Sequence, residues 1–422
     1  MNQLKTLLAL ALLAPAVALA NGYDVPNVNP RDLALVSSGL AAQADAGAAY
    51  ANPAAMARLG PGLQLSLAGS GLFLSTKWSD TSGNLSPSTS STKFKPVPPV
   101  SLFGMYGFKV AGYDAAIGAG MNVVAGGNVF WEDDWAGRGR IITVDRKIFA
   151  GYLSGAFALS QYIRVGATAV YYYGQEYLKQ GIQPDPTGYG ELATKGGALA
   201  PGFSVEVTPN ERLSFAADYK HMGKMKLKGD GNFVAAPGVV AASCVVGSTS
   251  AFCLQDQGVT HELTYPSVAN LGVAFRPVKP LLLTATWTYN WYEVYKEDLF
   301  VGDKGARIPV PRHYGNGQTF RFGAEYDVNA RLQARVGVER DVSGLNTDFQ
   351  SPTLPDASSW CGAVGAGWSV SPTLQVNATV FYALFDKVTA TGTEAMPGSY
   401  DTNVWITSIG VSWKTGIGGG AK

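Results

Sequence analysis

Histidine and cysteine occur only three times each in 422 residues, and 32 basic side chains are offset by 31 acidic ones. So few His and Cys leave no cluster with metal-ligand spacing, so neither a metal nor another cofactor is expected. His221, His261 and His313 stand apart from any Ser, Asp or Glu pattern that would mark a general base, so an enzyme is not expected. The even charge balance, without a basic stripe, excludes a nucleic-acid partner. No Gly-rich loop ending in Gly-Lys-Ser/Thr occurs, which argues against nucleotide-driven work. Beyond the first twenty residues no apolar run approaches the roughly 18 residues a membrane helix needs.

What the chain does have is alternation. From Leu281 to Trp291 one face reads Leu281, Leu283, Ala285, Trp287, Tyr289, Trp291 and the other Leu282, Thr284, Thr286, Thr288, Asn290. Successive strand residues point to opposite sides, so the segment has a lipid-compatible face and a wet face. Phe320, Phe322, Ala324 and Tyr326 alternate with Arg321, Gly323 and Glu325; Leu332, Ala334, Val336 and Val338 alternate with Gln333, Arg335, Gly337 and Glu339. Fourteen such segments fill residues 63–414, which predicts an all-β fold, a fourteen-stranded antiparallel transmembrane barrel.

The connections agree. Short links fall at 110–112, 160–161, 208–211, 276–280, 327–330 and 369–373, several with the Pro, Asn, Asp or Gly of tight turns. Long polar connections fall at 76–96, 126–140, 178–194, 223–263, 295–317, 342–358 and 387–400. Six turns and seven loops join fourteen strands with both ends on the short-turn side, as a single-chain bacterial barrel requires. The 51 glycines and 20 tyrosines suit close strand approach and interfacial aromatic girdles.

Residues 1–20 read as a secretory signal, with Lys5, an apolar run from Leu7 to Leu13, and Ala18-Leu19-Ala20 as cleavage site. Together with the alternation this predicts the outer membrane of a diderm bacterium. Cys244 and Cys253 share the longest loop in an exported segment, so a loop disulfide is expected, while Cys361 reads as a small packed residue. Residues 21–62 do not alternate, are rich in small residues and carry little charge, which fits a hatch plugging the lumen better than a disordered leader.

Residues 44–57, with Asn52, Pro53 and Ala54 as an NPA triplet, resemble the N-terminal hatch signature of the FadL family of outer-membrane long-chain fatty acid transporters. Further similarities follow in order: Asp133 to Arg138, the lysine-rich stretch containing Leu227, Lys228, Gly229 and Asp230, then Glu262 to Val268, Phe322 to Tyr326, and Leu354-Pro355-Asp356. The resemblance spans nearly the whole chain after the signal. It implies passive uptake of hydrophobic molecules by a monomer lying among outer-membrane lipids and lipopolysaccharide. Ligand is captured between the third and fourth extracellular loops, passed to an inner pocket, and released sideways through a kink in the third strand. That strand, read as 113–125, contains Gly118 and Gly120, with Gly126 and Gly127 just beyond, and glycine suits a bend. One departure is the end of the chain, where residues 415–422 form a tail beyond Trp413 instead of a terminal aromatic.

A fatty acid needs an apolar tunnel and a cation at one end. Arg164, Lys220, Arg321 and Arg335 face inward on the alternation, and Arg138 and Arg140 stand in the loop above, Arg138 first through the family motif. Asp218, Glu325 and Glu339 share the lumen and can pair with several of these. A neutral or aromatic hydrocarbon would need no cation, a general porin would lack the plug, and a purely structural barrel would transport nothing.

Overall fold

The computed structural model describes residues 24–25, 29–95, 98–183, 185–243, 254–305, 307–390, 392 and 395–415. The signal segment, Cys244, Cys253 and most of the tail lie outside the described residues. One antiparallel sheet closes on itself. Its wall strands are β1 (Gly62–Ser79), β2 (Val100–Val110), β3 (Tyr113–Phe130), β4 (Thr143–Ala158), β5 (Ile163–Gly181) and β6 (Tyr189–Asn210). β7 runs in two pieces, Leu213–Lys220 and Gly223–Val234, and so does β8, Gln257–Tyr265 and Val268–Val278. β9 (Leu281–Asn290), β10 (Gly317–Asp327), β11 (Leu332–Val342), β12 (Ser359–Ser371), β13 (Leu374–Phe385) and β14 (Gly398–Lys414) complete the fourteen. β14 pairs with β1 from Gln64↔Lys414 to Ser79↔Ser399, which closes the wall.

The alternation is expressed as drawn. Leu153, Leu199 and Ile409 are 68%, 72% and 63% exposed on the outside, while Thr284, Thr286, Thr288 and Asn290 are buried inside. Turn chemistry sets the short ends. Ala111 and Gly112 both have positive φ (50° and 87°), the two-residue turn whose twist matches a hairpin, between paired Val110 and Tyr113. At three other turns a side chain, Asn210, Asn329 or Ser371, accepts from the backbone two and three residues on.

Three loops are shorter than the polarity of the sequence suggests. β3 continues to Phe130, so Gly126 and Gly127 lie within the strand and loop 2 is residues 131–142. Loop 3 shrinks to 182–188 and loop 4 to 235–256, because β5 to β8 continue above the lipid band. There the pattern inverts. Met225, Leu227 and Leu263 are buried inward while Lys224, Lys226 and Lys228 point out to water, so an ordinary strand reads as a polar loop. Both interruptions align: Pro266, which has no N–H to donate, and Ser267 break β8 beside His221 and Met222 in β7. Ser267 Oγ accepts from Met222 N at 2.9 Å and so satisfies the freed backbone. Loop 5, residues 291–316, carries a hairpin, Glu297–Gly302 with Arg307–Pro311, that adds to the edge of β8.

The hatch fills the lumen. Pro30–Ala34 forms a short helix α1, capped by Asn29, whose side chain accepts from Arg31 N; Ala48–Ala51 forms α2, and Pro53–Arg58 a 3₁₀ turn. Leu33, Ala34, Leu35, Ala48, Ala49, Ala54, Ala55 and Met56 are fully buried against the wall. Wall glycines make room. A Cβ on Gly166 would stand 2.4 Å from Ala54 N, and one on Gly337 would stand 2.8 Å from the Leu35 backbone. Small residues on both sides therefore let backbone meet backbone.

Candidate functional site

Two apolar cavities flank the hatch on its extracellular side. The upper one, about 800 Å³, opens among loops 2 to 5 and the β11–β12 connection, which adds Phe349, Ser351 and Thr353. Ile141, Leu178, Ile182, Leu192, Phe233 and Phe300 supply apolar lining, and the charged lining residues are Arg140, Arg146, Asp298 and Arg312. Loop 2 is held in shape by its tryptophans: Trp131 and Trp135 stack at 4.3 Å, and Trp135 Nε1 donates to Ile141 O at 2.7 Å. This arrangement brings Arg140 to the groove. Asp185 ties loop 3 to loop 4, accepting from Thr187 Oγ1 at 2.8 Å and from Ala236 N at 2.9 Å; these bonds hold its carboxyl down at about 2.

Below the groove lies a buried polar cluster. Arg146 bonds Glu176 at 2.6 Å and Tyr295 at 3.2 Å; Arg312 bonds Asp298 at 2.9 Å, and His261 Nε2 stands 2.6 Å from Glu176. Burial pushes the Asp298 carboxyl up, but the Arg146 and Arg312 charges outweigh it and hold the group below the ordinary carboxylate range. Sequence reasoning missed this cluster, since loop 5 carries half of it and shows no periodic signal.

The lower cavity, about 400 Å³, sits beside β3. Leu72, Leu74, Val123, Phe381, Val404 and Ile406 give it apolar walls, and Asp24, Glu339, Asp341 and Asp356 stand among its lining with Lys95 and Lys147. The wall is irregular here. β3 slips register against β4 between Val123 and Ala125, leaving Val124 as an extra residue. β2 reaches only to Val100, so from Gly69 in β1 up to Lys77, where a short strand Thr89–Ser91 pairs with it, no strand among the described residues stands between β1 and β3. Residues 92–95 and 98–99 border the gap instead, with Thr92 N donating to Thr76 O, Lys93 N to Phe130 O, and Pro99 O accepting from Ser70 N. Pro98 and Pro99 have no N–H to extend a ladder. The first described hatch residues dock on the bulge, where Val25 N donates to Val124 O at 3.0 Å.

The candidate residues separate by position. Gly118 packs on the hatch, where a Cβ would lie 2.7 Å from Met56 Sδ, and Gly120 faces Phe103; Gly126 and Gly127 line the lower cavity. Arg138 donates to the backbone carbonyls of Asp133, Asp185 and Gly188, clamping loop 2 to loop 3. Arg164 stands 3.5 Å from Glu206 near the short-turn end, Arg321 is bonded to Glu339 at 2.7 Å, Arg335 to Glu325 at 2.7 Å, and Lys220 to Asp218. Asn52 donates to Leu40 O, Pro53 opens the 3₁₀ turn, and Ala54 N donates to Ser204 Oγ at 2.8 Å, so the triplet joins hatch to wall. Cys361 is buried in β12 beside the lower cavity.

Comparison with known proteins agrees with this architecture. A FadL homologue of Pseudomonas aeruginosa superposes with a TM-score of 0.83 at 17% identity, over 93% of this chain and 99% of that one. The Pseudomonas putida toluene transporter TodX gives 0.68 at 13% identity over 88% and 94%, and the Ralstonia pickettii toluene transporter TbuX 0.62 at 13% over 92% and 99%. No curated protein matches the chain in sequence. Residues 11–414 match the family described as outer membrane protein transport protein (OMPP1/FadL/TodX). The chain therefore belongs to that family of outer-membrane β-barrels, which transport hydrophobic compounds.

Proposed function

We propose that this protein takes up long-chain fatty acids by diffusion, capturing them in the upper groove and releasing them sideways through the wall at the β3 bulge. The observation that carries the reading is the pairing of two apolar cavities above a lumen closed by the hatch. An oily ligand gains by leaving water for the groove, whose volume falls within the roughly 300–1,000 Å³ of small-molecule sites. Arg146 and Arg312 of the groove lining are engaged by Glu176 and Asp298, and Arg140 is the cation offered to a carboxylate headgroup. Onward passage straight through the lumen meets buried hatch side chains, whereas the lower cavity abuts the gap in the strand ladder bordered by Lys95, Pro98 and Pro99.

A neutral or aromatic hydrocarbon is the second reading. The lower cavity favours it, because Asp24, Glu339, Asp341 and Asp356 outnumber Lys95 and Lys147 in its lining and leave no excess of positive charge for an anionic headgroup. Both readings share the route. Competition for binding to the purified protein separates them: a fatty acid that outcompetes its own methyl ester supports the first, and equal competition, with toluene binding as well, supports the second. A large steady single-channel current with the hatch intact would replace both with a porin.

A further inference from the structure

Four lysines stand on the outside of the wall without an ion-pair partner among the described residues. Lys224, Lys226 and Lys228 occupy successive outward positions of β7, and Lys195 lies directly across from Lys228 on β6. Like charges placed opposite each other on one face of a sheet repel. The carboxylates facing this patch are fewer: Glu262 lies across from Lys226, Asp230 is the next outward residue of β7, and Glu297 shares a groove with Lys296. That groove, about 540 Å³, runs between the lysine row and the loop 5 hairpin and is lined by Lys226, Lys228 and Lys296.

The height of the patch in the wall identifies what could meet it. Leu199, 72% exposed, and Phe203, 58% exposed, mark the lipid face of β6. Lys195 points the same way four residues nearer the extracellular end, about 13 Å along the strand. On the neighbouring strand Tyr171 pairs with Leu199, Tyr173 with Gly197 and Gln175 with Lys195, so Tyr173 stands between the apolar band and the level of Lys195 and Lys228. This is the order of a membrane interface: hydrocarbon, aromatic girdle, then the level of charged headgroups.

We infer that Lys195, Lys226 and Lys228, with the groove beside them, form a docking site for a phosphorylated lipid headgroup of the outer leaflet. An anionic phosphate between Lys195 and Lys228 removes their mutual repulsion, and a sugar headgroup can occupy the groove. The lipid's acyl chains then lie along Leu199 and Phe203. This site is independent of the transported ligand and anchors the extended β6 to β8 region, which frames the capture groove on one side.

The test uses the full-length protein in phosphatidylcholine vesicles carrying a labelled bis-phosphorylated lipid A, compared with lipid A stripped of both phosphates. The expected result is preferential retention of the phosphorylated form, lowered about tenfold or more by Lys195→Gln with Lys226→Gln and Lys228→Gln, and lowered by raised salt. The corresponding Lys→Arg triple variant should retain the lipid, and both variants should keep the heat-modifiable migration of a folded barrel. Equal retention of both lipid forms, equal retention by the Gln variant, or displacement by inorganic phosphate as strong as by lipid A would overturn the site.

Discussion

Arg31 of the hatch and Glu325 of β10 meet in a two-pronged ion pair, at 3.0 and 3.3 Å, with both side chains almost entirely buried and Arg335 bonded to the same carboxylate at 2.7 Å. The pair spans 294 residues of sequence and fixes the plug to the wall. Arg58 of the hatch and Glu206 of β6 form a second such pair at 3.0 Å. Removing one partner of a buried pair leaves an uncompensated charge, which typically costs about 3–5 kcal/mol. Glu325→Ala should therefore loosen the hatch, and small polar solutes should leak through the barrel in a liposome-swelling assay. An unchanged permeability would mean that the pair does not hold the plug.

Gly166 faces the NPA triplet, where a Cβ would crowd Ala54 N, Pro53 C and Ser204 Oγ. Gly166→Val should press a side chain into Ala54 and Ser204 and destabilise docking by about 1–3 kcal/mol, read as a lower thermal transition of the intact barrel.

Gly127 faces the lower cavity, and a Cβ there meets nothing within 4 Å. Gly127→Leu should thus fold normally while filling the proposed exit. Uptake is expected to fall about tenfold or more with ligand binding at the groove retained; normal uptake would remove the exit from this place. The same change at Gly118 or Gly120 is a poorer probe, since those residues pack on Met56 and Phe103.

Burial drives the Asp24 carboxyl from its ordinary 3.8 to about 7, against the opposing influence of the Tyr292 and Tyr265 hydroxyls and the charge of Arg321. A carboxyl raised in the docked state binds its proton more tightly there than when released. Docking of residues 24–25 on the bulge is then strongest below the ordinary value, weakens as pH rises through the interval up to about 7, and stays weak above it. The protection factor of the Val25 amide, corrected for intrinsic exchange, should fall across that interval and become flat in Asp24→Asn.

Arg140 lines the groove that the fatty-acid reading requires. A hydrogen bond to a charged group contributes about 1.5–3 kcal/mol, so Arg140→Ala should weaken fatty-acid binding roughly tenfold or more and leave toluene binding unchanged. Equal losses for both ligands would assign Arg140 to shaping the loop.

The wall was legible in the sequence wherever lipid lies outside it, because there an apolar outer face and a polar inner face produce the period directly, as in Leu281–Asn290. Above the membrane that contrast reverses, so the upper parts of β7 and β8 read as loop. The hatch announced itself by small residues, but its clamps did not: nothing near Arg31 or Arg58 points to Glu325 or Glu206. The bulge at Val124 was equally silent, since Val123, Val124 and Ala125 are all apolar and show no phase, and only the register against β4 exposes the extra residue. Arg138 stood in a recognisable motif, yet its guanidinium binds three carbonyls of its own and the adjoining loop, while Arg140, two residues on, reaches the groove.

Lateral exit with the hatch in place is the core of this account, and a reversible tether between plug and wall tests it most directly. Ser38 Oγ and Thr284 Oγ1 lie 2.6 Å apart, so Ser38→Cys with Thr284→Cys can be joined by oxidation. Uptake of a radiolabelled ligand by cells carrying the oxidised protein should equal that after reduction. Uptake lost on oxidation and restored by reductant would show that the plug must leave the wall for cargo to pass.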